Sequence, residues 1–151
     1  MEQWILLAHV LAGATWFGGH VYTEALTASA SRTGDPETIM TVGLRSALTN
    51  GRLFIIAGSI TLLSGFWLVF ESVYEFETLF VAIGLPVTLA ALVMGFFVLR
   101  PREVGLKAAV EKQGLIDPET MAAAKRVGML RHVMTLIVTI VIILMVLKPG
   151  V

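Results

Sequence analysis

The sequence has 151 residues, of which 56% are hydrophobic and 15% charged, with no cysteine and a formal net charge of zero. A soluble domain of this length needs more charge to keep its surface wet, so the apolar excess must face lipid. Zero net charge does not point to nucleic acid as a partner, and the lack of cysteine removes disulfides, thiolate metal sites, iron–sulfur clusters and cysteine nucleophiles.

The N-terminus, Met1-Glu2-Gln3-Trp4, has no Lys or Arg before the first apolar run. A cleaved signal peptide would need that positive region, so the first segment is predicted to be a retained helix. A spanning helix needs about 20 mostly apolar residues, and four segments meet or approach that length. The first runs over about 4–28 and contains His9, His20 and Glu24. The second, about 53–70, carries no charge, and the third, about 79–99, is interrupted only by Pro86, which a membrane helix tolerates. The fourth, about 127–147, takes Arg131 and His132 into its first turns. The fold class is therefore all-α, an integral membrane four-helix bundle forming one domain.

Loops set the direction. Segments 29–52 and 100–126, with Arg131 just beyond, hold ten of the eleven basic residues, and Lys148 alone lies at the other end. The positive-inside rule predicts that both basic loops are cytoplasmic and both termini are outside. Each basic loop contains the same tetrapeptide, Asp35-Pro36-Glu37-Thr38 and Asp117-Pro118-Glu119-Thr120. Asp suits the N-cap, Pro the first helical position and Glu the first turn, so each should open a cytoplasmic helix leading into the next span. The pair reads either as two parallel helical-hairpin repeats or as a chance match of a common helix opener.

Ionisable groups in a span need partners inside the protein. His9 and His20 are eleven residues apart, close to three whole turns, and Glu24 is one turn further, so all three share one stripe. That stripe is expected to face the bundle. His20 lies sixteen residues from Trp4 and His132 fifteen from Leu147, so both sit about 22–24 Å below the outer face. Two histidines at one depth suit one metal ion or one haem iron, with Glu24 orienting His20 or pairing with Arg131. His9 has no second histidine at its level and would serve a separate site or a proton path. The opposing expectation is that Glu24, Arg131 and His132 merely mark the interface by snorkelling. The methionines are scattered, and no P-loop, GxSxG, HExxH or Rossmann pattern occurs.

The run His9-Val10-Leu11-Ala12-Gly13-Ala14-Thr15-Trp16-Phe17-Gly18-Gly19 resembles the first-helix signature of HemJ-type protoporphyrinogen oxidases, and is also similar to the His…Trp-x-Gly-Gly helix of CopD-type copper-resistance membrane proteins. Arg52-Leu53-Phe54 with Thr61-Leu62-Leu63-Ser64-Gly65-Phe66-Trp67-Leu68 resembles the HemJ second helix, and Thr135-Leu136 through Lys148-Pro149 its last. The third span, with neither lysine nor histidine, takes no part in the likeness. The resemblance implies a prokaryotic inner-membrane oxidoreductase, with His9 and Lys148 as its catalytic candidates. Three readings follow. The first is a haem b or porphyrin protein handling electrons or protons, with cofactor-binding His20, His132 and Glu24 and a membrane redox partner or a second copy. The second is a copper-handling protein without catalysis, using His9, His20 and His132 as ligands. The third is a small subunit of a larger membrane complex, docking through residues 102–126.

Overall fold

The computed structural model describes residues 2–71 and 75–150. Helix α1 is Glu2–Ser31, α2 Pro36–Glu71, α3 Leu79–Val93, α4 Arg100–Gln113 and α5 Pro118–Leu147. A six-residue π-helical turn, Met94–Leu99, joins α3 to α4. Four helical rods are long and apolar enough to cross a membrane: Gln3–Ser31, Pro36–Glu71, Leu79–Gln113 and Pro118–Leu147. Only about a fifth of each rod's most apolar stretch is buried in the protein. Side chains such as Leu63, Phe97, Leu136 and Val146 stand exposed. Lipid must cover them, because water would leave that much apolar surface unfavourably hydrated. The observed architecture is an all-α membrane bundle.

The basic segments are helical along most of their length. Chain reversals are confined to residues 32–35 and 114–117, where Gly34 (φ 69°) and Gly114 (φ 98°) adopt the left-handed conformation open to glycine. Asp117 then caps α5, accepting from the amides of Glu119 and Thr120, and Asp35 accepts from those of Glu37 and Thr38. Pro36 and Pro118 are the first residues of their helices, where a missing N–H costs nothing.

Pro86 leaves α3 continuous, and the π turn falls directly ahead of Pro101. A proline ring crowds the carbonyl four residues earlier, and widening the turn relieves that crowding. Arg102 donates to the Val98 carbonyl at 2.9 Å, satisfying an oxygen at the irregularity. The core runs through Trp16, Ala57, Ala91, Leu99, Leu106, Val127, Met134 and Val138, so every rod contributes to it. Trp16, 2% exposed, is its largest member. Gly58 makes room for it: a Cβ there would meet Leu92 at 2.8 Å and the indole at 3.1 Å.

Candidate functional site

The stripe on α1 faces its neighbours. At one end His9 Nδ1 lies 3.0 Å from the Thr61 carbonyl and 3.1 Å from Ser64 Oγ, both on α2. Gly65 allows this approach, since a Cβ there would come within 2.9 Å of the imidazole. Small residues at this crossing admit a ring between the helices.

Eleven residues on, His20 is 3% exposed. Its ring stacks on Phe54 with centroids 4.2 Å apart and meets Trp16 edge-on at 6.4 Å. Gly19 leaves space for Phe54 beside it. Nδ1 is 3.5 Å from Thr135 Oγ1 on α5, and Nε2 is buried without a hydrogen-bond partner. His20 lines a cavity of about 30 Å³, shared with Trp16, Phe54, Arg100, Glu103 and Arg131. That is room for at least one water molecule, which needs about 10–15 Å³.

Thr135 Oγ1 also lies 3.1 Å from Glu24 Oε1, and Glu24 Oε2 lies 2.6 Å from Nδ1 of His132. The His132 side chain is 68% exposed. A continuous polar chain therefore runs from the buried His20 through Thr135 and Glu24 to the exposed His132. A single hydroxyl proton cannot serve Thr135's contacts to Glu24, His20 and the Arg131 carbonyl (3.0 Å) at once. With that proton on Glu24, the His20 contact is made by Nδ1–H donating to the hydroxyl.

A second cluster stands behind the first. Glu103 is 3% exposed and holds Arg131 through Nε and Nη2, each at 3.2 Å, while Arg100 reaches its other oxygen at 3.4 Å. Arg131 Nη1 donates to the Gly43 carbonyl at 3.2 Å. Gly51 clears the way, since a Cβ there would lie 2.9 Å from both Arg100 and Glu103. One carboxylate thus ties α4 to α5, and one guanidinium ties α5 to α2. Asn50 adds a tie between α2 and α1, donating to Thr23 at 3.0 Å.

At the same end of the bundle, a cleft of about 840 Å³ opens between α1, the start of α2 and the first turns of α5. Glu24, Lys125, Arg131 and His132 line it, together with apolar Met40 and Leu44.

Several expectations shift against this geometry. Glu24 pairs with His132 and reaches His20 only through Thr135, and Arg131 takes Glu103 in place of Glu24. His20 and His132 lie at the two ends of the polar chain, one in the small cavity and one on the open cleft, so they do not close on one point. His9 stands apart with Thr61 and Ser64. Among the described residues, no three His, Asp or Glu side chains gather as a metal site. Lys148 is the left-handed C-cap of α5 (φ 43°), with Nζ 6.0 Å from the centre of the Phe80 ring. Sequence reasoning missed Glu103, Thr135 and Asn50. One signal was available: an arginine inside a span demands a carboxylate, and Glu103 is the acid nearest the membrane on the adjoining rod.

Four apolar rods around a buried polar network define a polytopic α-helical membrane protein. The chain belongs to the DUF2269 family, described as predicted integral membrane protein, whose family model matches residues 3–149. That description covers the membrane and the family, and extends to neither porphyrin oxidation nor copper. No curated protein and no solved structure matches the chain.

Proposed function

We propose that the protein handles protons within the membrane, with His20, Thr135, Glu24 and His132 as its relay. The carrying observation is the unbroken chain of contacts that joins a 3% exposed imidazole to a 68% exposed one. An imidazole and a carboxyl group can each give and accept a proton, and a hydroxyl between them can pass one on, which suits this set of side chains to a relay.

Nε2 of His20 gains a proton from a hydrated proton in the cavity, and Nδ1 gives its proton to Thr135 Oγ1. The hydroxyl gives its own to Glu24 Oε1, the carboxyl gives the proton on Oε2 to His132 Nδ1, and His132 releases its Nε2 proton at the cleft. One proton enters, one leaves, and no electron moves. Arg131, Arg100 and Glu103 are the other charged groups lining the cavity. The two guanidiniums are neutralised in part by Glu103, so an imidazolium at His20 meets less repulsion than two free cations would impose.

The test is the rate at which the His20 ring proton exchanges with solvent, read by NMR on histidine-labelled protein in bilayers. Thr135→Val should slow it by at least about tenfold, equivalent to roughly 1.4 kcal/mol on the barrier, while Thr135→Ser keeps it. Equal rates in wild type and Thr135→Val would end the proposal.

A second reading, binding of a porphyrin or haem b, is favoured by the cleft. Its volume of about 840 Å³ falls within the roughly 300–1,000 Å³ typical of small-molecule sites. Its apolar wall suits a macrocycle, and Lys125 and Arg131 suit acidic side chains. The small cavity at His20 is far too tight for one, so a clamp of His20 and His132 does not fit. Haem, when bound, supplies one-electron chemistry. An absorbance spectrum after expression with haem precursors tests this reading, and the absence of a Soret band removes it. The copper reading draws no support from the arrangement of the histidines.

A further inference from the structure

The cleft carries an inference that stands apart from the relay. Glycines and alanines occupy its walls, with Gly43 on α2 facing the cleft and Gly128, Ala122 and Ala124 on α5. Such residues ordinarily let membrane helices touch. Here a Cβ built on Gly43 or Gly128 would meet no atom within 4 Å. The walls stand apart where their composition would let them close.

The level of the cleft follows from helix geometry. His20 lies about 24 Å along α1 from Trp4, leaving roughly 6 Å of a hydrocarbon core about 30 Å thick. The cleft starts near that level, at Thr23 and His132, and runs to Ser31 and Met121. Its inner end is therefore at acyl-chain depth and its outer end among headgroups.

Charge points the same way. Lys125 and Arg131 face the cleft with Glu24 as the one acidic side chain lining it among the described residues, itself in contact with His132. Arg131 is held by Glu103, whereas Lys125 makes no ion pair among the described residues. Lys125 sits one turn inside the mouth, with apolar Ile39, Leu44 and Leu106 on the facing walls.

We propose that this cleft binds an anionic phospholipid, its phosphate at Lys125 and the upper part of one acyl chain along α2. A cation near a membrane surface favours an acidic over a neutral lipid by about fivefold, and the apolar wall excludes a free phosphate as the whole ligand.

The test places the full chain in nanodiscs of mixed phosphatidylcholine and phosphatidylglycerol and counts the lipids it retains by native mass spectrometry. Wild type should retain phosphatidylglycerol about fivefold over phosphatidylcholine. Gly128→Leu, which projects into open space, and Lys125→Glu should each lose the preference while helix content by circular dichroism stays constant. Equal retention of the two lipids by wild type overturns the proposal, as does a preference that survives in whichever variants fold. Exclusion of phosphatidylglycerol by an equal concentration of porphyrin also overturns it, because the cleft would then belong to the porphyrin. None of these outcomes depends on proton exchange at His20.

Discussion

Removing the Glu103 carboxylate is the sharpest test of what holds the bundle together. Both of its oxygens are used, Oε1 by two nitrogens of Arg131 at 3.2 Å and Oε2 by Arg100 at 3.4 Å. The side chains of Glu103 and Arg131 are only 4% and 12% exposed, so solvent does little to replace a lost partner. Taking one member from a buried pair costs about 3–5 kcal/mol, because the remaining charge stays desolvated. Glu103→Leu should therefore destabilise by about that amount. The further change Arg131→Leu should restore much of it, since apolar groups of similar volume often replace a buried pair without loss. The assay is unfolding in mixed detergent micelles followed by circular dichroism, with the four species compared as a double-mutant cycle. A loss below about 1 kcal/mol for Glu103→Leu, typical of an exposed ion pair, would refute the reasoning and reduce the cluster to surface decoration.

Other predictions use the same assay. Trp16→Ala empties the centre of the core and should cost about 3–5 kcal/mol, while removing the ring that meets His20 edge-on. Gly58→Ala should cost about 1–3 kcal/mol by overpacking, because its Cβ would press on the indole at 3.1 Å and on Leu92 at 2.8 Å. Asp35, outside the spans, has its carboxyl held below its ordinary 3.8 by hydrogen bonds from the Thr38 side chain and amide and the Glu37 amide. A depressed carboxylate stabilises the fold above its unfolded pKa and loses that contribution as pH falls through its folded value. Wild type should therefore weaken on acidification below about pH 4, by a component that Asp35→Asn removes; identical acid profiles for the two would show that the cap is idle.

The spans were legible because hydrocarbon imposes one rule on every residue of a long apolar run. The helix starts at Pro36 and Pro118 were legible because Asp-Pro-Glu satisfies three local requirements at once. The polar network was legible only in half. Periodicity put His9, His20 and Glu24 on one face, and α1 does present that face to α2 and α5. Periodicity says nothing about which side chain a neighbouring helix delivers. Glu24 therefore met His132 through a register between α1 and α5 that no local signal encodes. Glu103 could be reached only by way of Arg131, because within a charged helix a buried carboxylate has the same local sequence signature as a solvated one. The π turn was equally silent, arising where Pro101 meets the end of a long rod.

The relay rests on the polar chain from His20 to His132, and the protonation of His20 tests it most directly. Thr135 accepts from Nδ1 if its own proton goes to Glu24, which leaves the buried Nε2 without a proton. Nitrogen NMR on histidine-labelled protein in bilayers at neutral pH should find His20 neutral, protonated at Nδ1 and unprotonated at Nε2. A proton found on Nε2, with Nδ1 bare, would contradict the relay as drawn.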